Sequence, residues 1–230
     1  KYKIDHILMK NITFSASKIL GRLIIQNKEG NKLVVVYDRN RKFSIDKGAR
    51  YHQTREGGSI HTDNVNVSLK WDYMILSCLS PGLVGGETIL VSAKDIYQKL
   101  SKKFRIAKKI LQQNFYWEKR GISKTFYKAP ILKINKKGEP EFRHLRSYLI
   151  SAYERKGKSL TKKQLYALDV LDALLESSEN QYRFYMNPGD LILALDAQIL
   201  HGRTSFSDHY KAKTIFANNK PNLPLKRTMV

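Results

Sequence analysis

The sequence predicts an antiparallel β core of the jelly-roll type with helices inserted into it. Short apolar runs of strand length are numerous, Pro and Gly turns separate several of them, and strands and helices do not alternate regularly. No Pro-, Gly- or Ser-rich linker divides the 230 residues, so we expect a single domain over residues 1–230. Because the chain starts on Lys and stops on LKRTMV, we expect this domain to be truncated at both ends.

The first strand-length runs lie in the N-terminal part of the chain. They occupy residues 18–26, 33–37, 71–79 and 87–92. The last two runs are separated by SPGLVGG, whose Pro-Gly and Gly-Gly pairs predict a turn.

Two helical insertions are predicted, at about 93–115 and 159–178. Apolar residues recur at helical spacing in the first insertion, at Ile96, Leu100, Phe104, Ala107 and Leu111. A leucine stripe predicts the second insertion, and either Ser159 or Thr161 can cap its start. The segment PILKINKKGEPEF between the insertions predicts a hairpin, and QYRFYM and LILALDAQILHGR predict a return to strands.

The net charge of +22 raises the question of an acidic partner. Lysines are scattered along the whole length and only SKKFRIAKK is concentrated, which is typical of a solvated surface and not of a groove that follows phosphates. We therefore do not expect nucleic acid as a partner. A basic jelly-roll protein that binds nucleic acid without catalysis is the alternative from another class.

The single cysteine, Cys78, excludes an internal disulfide and favours a reducing compartment. No apolar run approaches the roughly 18 residues that cross a membrane, and the first residues lack the apolar core of a signal peptide. We expect a cytoplasmic protein that does not insert into membranes.

One polar pair, His61-x-Asp63, has the spacing of a metal site. On an extended strand, residues two apart point to one face, so both side chains could hold one ion while Thr62 faces away. The pair alone is weak evidence, because six histidines and eleven aspartates give roughly 0.3 such pairs by chance. An ordinary polar strand end remains the competing interpretation.

A ferrous facial site needs a second histidine from elsewhere in the chain. His201 is the best candidate, since it ends the most apolar strand of the C-terminal half and Gly202 follows it. The other histidines lie near a terminus or in polar, basic surroundings. Spacing typical of zinc proteases is absent, and one cysteine excludes thiolate-rich zinc sites.

Five segments in order resemble a known family. They are GGSIHTDN, GLVGGETILVS, FRHLRSYLISA, PGDLILALDAQILHGRTSF and KRTMV. Together they are similar to the taurine dioxygenase-like (TauD/TfdA) family of Fe(II)/2-oxoglutarate-dependent oxygenases, from about Leu20 onward. The resemblance implies a double-stranded β-helix, a distorted cupin-like jelly roll, and an enzyme that uses Fe(II), 2-oxoglutarate and O2.

Carried over by position, the resemblance makes His61, Asp63 and His201 the iron ligands and the catalytic residues. It places Thr88 as a hydrogen-bond donor beside the distal carboxylate of 2-oxoglutarate, and it expects an Arg on the last core strand to pair with the same carboxylate. Arg227 is the candidate, although it lies further from His201 than the family pattern. Lys213 is the alternative.

The resemblance implies hydroxylation of a small polar molecule, or a related desaturation or cyclisation, because the carboxylate ligand Asp63 is present. The favoured substrate is an amino acid or a derivative, free or attached to an acidic carrier protein; a sulfonate or another small acid is the alternative. Asn64, Gln53 and Arg146 are the candidate substrate contacts, with Arg143 as a further candidate to receive a carboxylate.

Overall fold

The computed structural model describes residues 5–25, 30–38, 54–63, 65–67, 72–119 and 123–207, together with the backbone of 225–229. These residues form five α-helices: α1 His6–Leu20, α2 Ala93–Lys103, α3 Arg105–Leu111, α4 Arg146–Arg155 and α5 Lys162–Glu176. A short 3-10 helix, Ser178–Asn180, follows α5. The strands are β1 Leu33–Val36, β2 Gly58–His61, β3 Tyr73–Cys78, β4 Val84–Gly85, β5 Thr88–Ser92, β6 Asn114–Glu118, β7 Phe126–Pro130, β8 Leu132–Ile134, β9 Pro140–Phe142, β10 Tyr182–Phe184, β11 Leu191–Leu195, β12 Ile199–Arg203, β13 Phe206–Ser207 and β14 Leu225–Met229.

Two four-stranded antiparallel sheets make the body of the fold. The first has the order β1-β14-β3-β11 and the second has the order β10-β5-β12-β2. Strands close in sequence therefore lie in opposite sheets, as β11 and β12 do, which is the topology of a jelly roll. The predicted fold class, mainly β with inserted helices in a double-stranded β-helix, is confirmed.

The two sheets face each other across a small apolar layer. Met74 and Leu76 of β3 and Ala194 of β11 pack there with Ile199 of β12. The opposite face of the second sheet is covered by helices, because Ile60, Ile89, Val91 and Leu200 share one large core cluster with buried residues of α2, α3 and α5. Successive strand residues point to opposite faces, so His201 points to the same side as Ile199, toward the first sheet.

The helix α1 packs against β3 and β14 of the first sheet. Its buried residues are Met9, Thr13 and Ser17, and the Thr13 hydroxyl lies 2.8 Å from that of Ser77. Thr13 and Ser17 also donate to backbone carbonyls one turn earlier, at 2.7 Å each. The outer face of this helix carries exposed apolar residues: Ile7, Leu8, Ile12 and Ile19.

The predicted strand at residues 18–26 is wrong in the described part. The helix α1 runs to Leu20, where the Gly21 N–H bonds back to the Ser17 carbonyl at 3.2 Å, and residues 21–25 have no regular structure. The strands predicted at 33–37, 71–79 and 87–92 contain β1, β3 and β5.

The predicted helical insertion at about 93–115 is two helices and the start of β6. The helical conformation is interrupted at Phe104, whose φ of −131° and ψ of 50° are not helical. The second insertion contains α5, which Thr161 begins through a capping box with Gln164. The helix α4 was not predicted. That residues 1–230 form one domain stays a prediction.

Candidate metal centre

Two of the candidate ligands lie on neighbouring strands, and the third follows one of these strands. His61 is the last residue of β2, Asp63 follows two residues later, and His201 is the third of five residues in β12. His201 is therefore not at the strand end that the sequence indicated; the apolar run is two strands, joined by a turn at 196–198. In the antiparallel pair β2–β12, His61 lies directly opposite His201, so both imidazoles are on the face that looks toward the first sheet.

The three side chains converge on one point in the interior. The Nε2 atom of His61 is 3.8 Å from one carboxylate oxygen of Asp63, and the Nε2 atom of His201 is 3.8 Å from the other. One ligand atom from each residue can be chosen so that all three lie within 4.8 Å of one another. All three side chains are less than one-tenth exposed.

This arrangement fits a bound metal ion. Two atoms that each lie about 2.1 Å from one ion are at most about 4.2 Å apart. Each imidazole Nε2 is within that limit of a different Asp63 oxygen, and one ligand atom from each of the three residues lies within 4.8 Å of the others. Two imidazoles and one carboxylate form the donor set of a ferrous facial site, which leaves further coordination positions open.

The tautomer of one imidazole and the charge of the other both suit a metal ligand. The Nδ1 atom of His61 lies 2.8 Å from the Ser59 carbonyl oxygen, which can only accept, so Nδ1 carries the proton and Nε2 is the ligating nitrogen. Burial lowers the pKa of His201 to about 4, although the backbone of Ile199 acts in the opposite direction. His201 is therefore neutral near pH 7.

Thr62, which lies between His61 and Asp63, is held by hydrogen bonds on the side away from the ligands. The Thr62 N–H donates to the His144 carbonyl at 2.8 Å, and the Thr62 hydroxyl accepts from the His144 N–H at 3.0 Å. The His144 ring is itself buried and lies 2.9 Å from Asp172 of α5, which also pairs with Arg146 at 2.6 Å. Thr62 thus faces away from the ligands, as the strand geometry predicted.

A second buried group holds Asp63 itself. The backbone N–H of Asp63 donates to the Oδ1 atom of Asp196 at 2.9 Å, across 133 residues of sequence. Asp196 lies in the turn between β11 and β12 and is 5% exposed. Neither Asp196 nor His144 was predicted as part of the site; their only sequence signal is that each lies within one of the segments that resemble the family.

Thr88 lies on the same face of the second sheet as His201. It is the first residue of β5, it is 3% exposed, and it stands opposite Arg203 while Leu90 stands opposite His201. Arg203 stacks on Phe206 and donates to the carbonyls of Thr54 and Glu56 at 3.1 and 2.8 Å. Arg203 therefore anchors the segment that leads into β2.

Both arginines of the FRHLRSY segment are engaged with protein groups. Arg146 pairs with Asp169 at 2.7 Å and with Asp172. Arg143 donates to the Val67 carbonyl at 2.7 Å and to the Tyr127 hydroxyl, and this tyrosine also donates toward the carbonyl of Val65 at 2.7 Å. Arg143 and Tyr127 together hold residues 65–67, which follow Asp63 in the chain. Binding of substrate by Arg146 stays a prediction.

The remaining predicted site residues have no described side chains. Asn64, Gln53 and the alternative Lys213 lie outside the described residues. Arg227 lies in β14, where its backbone stands between Val34 of β1 and Leu76 of β3. The predicted last core strand is therefore present in the first sheet.

A jelly roll with two histidines and one carboxylate converging inside it defines the class of mononuclear facial-site proteins. The model of the family described as "Taurine catabolism dioxygenase TauD, TfdA family" matches residues 16–216. The chain belongs to this family. The resemblance seen in the sequence is confirmed.

Individual relatives are more distant. FR-33289 synthase from Streptomyces rubellomurinus is 25% identical over 200 residues, which are 85% of this chain and 57% of that protein. Asparagine oxygenase in complex with Fe(II), 3-hydroxyasparagine and succinate has a TM-score of 0.58 at 18% identity, covering 78% of this chain and 51% of that one. The non-heme iron oxygenase OrfP in complex with Fe, succinate and (3S)-hydroxy-L-Arg has a TM-score of 0.65 at 14% identity, covering 96% of this chain and 66% of that one.

The chain spans a little more than half the length of FR-33289 synthase. The likeness to the two solved structures supports the fold. Among the helices formed by the described residues, none has the length and apolar character that a bilayer crossing requires.

Proposed function

We propose that this chain is an Fe(II)/2-oxoglutarate-dependent oxygenase. The observation that carries the proposal is the buried convergence of His61, Asp63 and His201 inside the jelly roll of a TauD/TfdA family member. These three residues would hold Fe(II). When bound with 2-oxoglutarate, the metal supplies O2 activation coupled to the conversion of 2-oxoglutarate to succinate and CO2.

The protein fixes the orientation and protonation of the metal ligands and excludes water from them. The Ser59 carbonyl fixes the tautomer of His61, so that Nε2 faces the metal position. Burial keeps His201 neutral, so this imidazole offers a lone pair without losing a proton first. The low exposure of the three ligands keeps bulk water from their donor atoms.

Thr88 and Arg227 are the residues that we propose for 2-oxoglutarate. Thr88 is supported by its burial and by its place on the face of His201, two strand residues from the position opposite this ligand. Arg227 is supported by its position on the last strand of the first sheet. A planar guanidinium suits a carboxylate better than the ammonium of Lys213.

For the substrate we propose an amino acid or a derivative, which is hydroxylated, desaturated or cyclised. Asparagine oxygenase and OrfP, whose complexes contain 3-hydroxyasparagine and hydroxy-L-Arg, have the same fold. We propose Asn64, Gln53 and Arg146 as substrate contacts; a sulfonate or another small acid is the alternative substrate within the same class.

The proposed partners and compartment rest on composition. A net charge of +22 would suit an acidic carrier protein that presents the substrate. Cys78 is a buried free thiol whose pKa is raised to about 12, mainly by burial and further by Asp190, which suits the reducing cytoplasm. The buried metal triad favours catalysis over the alternative of a basic nucleic-acid-binding shell.

The test is anaerobic addition of Fe(II) and 2-oxoglutarate, followed by the visible absorbance of the complex, and then aerobic succinate formation with a panel of amino acids. We expect a complex in the wild-type chain and in the control His6→Ala, which removes an exposed histidine of α1. His201→Ala and Asp63→Ala should lose both signals while their far-ultraviolet circular dichroism is unchanged.

Two results would contradict the proposal. One is full turnover in either ligand variant. The other is a salt-dependent shift with an oligonucleotide in a wild-type chain that gives no Fe(II)/2-oxoglutarate complex, which would favour the binding protein.

A further inference from the structure

The carboxylate ligand lies where the second sheet no longer holds the chain. The strand β2 ends at His61, whose partner in register is His201, and Asp63 is two residues beyond that last pair. A ladder of backbone hydrogen bonds fixes the direction of a side chain in a strand, and Asp63 has no such ladder position. Some other group must set the backbone of Asp63 if its carboxylate is to face the two imidazoles.

Asp196 holds the backbone of Asp63 by a hydrogen bond, in place of a strand partner. Its Oδ1 atom accepts the Asp63 N–H at 2.9 Å, and the Asp196 side chain is buried. Burying a carboxylate is costly unless it is hydrogen-bonded, so a buried Asp at this point indicates that its hydrogen bonds matter. Bonds from a backbone N–H to a carboxylate are among the strong ones.

The turn that carries Asp196 is itself fixed on both sides. The Asp196 N–H donates to the Asp72 carbonyl at 3.1 Å, and the Ala197 carbonyl accepts from the Phe142 N–H at 2.8 Å. The same turn leads directly into β12, which carries His201. One rigid turn therefore sets the position of two ligands that the sequence separates widely.

We propose that Asp196 is a positioning residue for the metal centre, which acts by holding the backbone of Asp63 and so aiming its carboxylate at the ion. The inference rests on the proposed function, because it assumes that the triad holds Fe(II). It predicts that the position of the acceptor oxygen matters more than its negative charge.

Three substitutions separate these effects. Asp196→Asn keeps an oxygen acceptor at the same reach, Asp196→Ala removes it, and Asp196→Glu keeps the charge but displaces the acceptor by one methylene. The matched control is Asp190→Ala at the other end of β11. The Asp190 carboxylate accepts the Asn187 N–H at 2.7 Å in an exposed turn. Asp190→Ala therefore removes the same kind of hydrogen bond at a place away from the ligands.

The measurement is anaerobic Fe(II) titration at saturating 2-oxoglutarate, with urea unfolding of each metal-free variant alongside. We expect Asp196→Ala and Asp196→Glu to bind Fe(II) roughly 10–100-fold more weakly, as loss of an orienting partner does at other metal sites. Asp196→Asn should stay within about threefold of wild type, and Asp190→Ala should lose stability without losing Fe(II) affinity. If Asp196→Ala does not fold, the contrast between the Asn and Glu variants decides.

The outcomes are distinct from those of the proposed function. A wild-type chain that binds no Fe(II) overturns the proposed function and this inference with it. A wild-type chain that binds Fe(II), together with Asp196→Ala and Asp196→Glu variants of wild-type affinity, overturns only the role of Asp196. Equal weakening in the Asn and Glu variants also overturns it, since an acceptor at the native reach would then not suffice.

Discussion

Gly85 allows a close approach of the segments that contain β4 and β13. Its φ is +73°, and a Cβ built there would lie 2.1 Å from the Ser205 carbonyl oxygen. The strand β4, which contains Gly85, pairs with β13, where Phe206 stands opposite Gly85. The same carbonyl of Ser205 accepts the Gly86 N–H at 2.9 Å. Gly85→Ala must therefore separate β4 from β13.

The expected cost has two parts. Alanine in the left-handed region costs roughly 1–2 kcal/mol. Relieving the overlap moves Ser205 by an ångström or so and gives up one or two hydrogen bonds of about 1 kcal/mol each. We expect a total loss of about 2–4 kcal/mol in the free energy of unfolding, which is in the upper part of the range for single substitutions.

Gly138 provides the matched control. Its φ is +81°, and a Cβ there meets nothing within 4 Å. Gly138→Ala should therefore lose only the roughly 1–2 kcal/mol of the backbone conformation. Urea unfolding of both variants measures the difference, and thermal unfolding should separate them by several degrees, since about 2–4 °C correspond to 1 kcal/mol at this chain length. Equal losses in the two variants would refute the steric argument.

Two further predictions concern Thr62 and the residues His144 and Asp172 that support it. Thr62→Val keeps the shape of the side chain but removes the hydroxyl that accepts the buried His144 N–H. We expect the free energy of unfolding, measured with urea, to fall by about 1–2 kcal/mol and the His144 amide to exchange faster. Unchanged exchange would contradict this. Burial acts to raise the pKa of Asp172, but hydrogen bonds and positive charge from His144 and Arg146 outweigh it and the net direction is down. The ionised carboxylate therefore stabilises the folded chain above its unfolded pKa of about 3.9, and this contribution is lost as the pH falls through the lower folded pKa. The stability difference between wild type and Asp172→Asn, about 1–3 kcal/mol, should shrink as the pH falls below about 4, as urea unfolding across pH would show; a difference that grows below that pH would reverse the argument.

The strands could be predicted where the buried side is apolar. The runs that contain β1, β3 and β5 are mostly apolar; β3 is almost wholly buried, β5 is mostly buried and β1 is half-buried. The helix α1 could not be predicted in this way, because its inward face carries Thr13 and Ser17 and its outward face carries isoleucines. Hydrophobic periodicity reports burial only when the buried positions are the apolar ones.

The same limit applies to the site. His61 and Asp63 could be paired from the sequence, because their spacing on a strand is local. Asp196 could not, because its bond to Asp63 spans 133 residues and a single sequence contains no trace of such a pairing. The sequence around His144 is polar and basic, but in the structure the His144 ring is buried and lies 2.9 Å from Asp172 of a helix further along the chain.

The register of His61 with His201 has a consequence for how the chain matures. The two imidazoles meet only after β2 has docked beside β12, a contact between distant parts of the chain that forms slowly compared with local helices. A nascent or nicked chain that lacks this docking offers at most the nearby His and Asp pair, which grips a cation weakly. If the proposed function holds, iron loading would report that β2 and β12 have paired, and a bound ferrous ion would stabilise the folded chain in which they are paired.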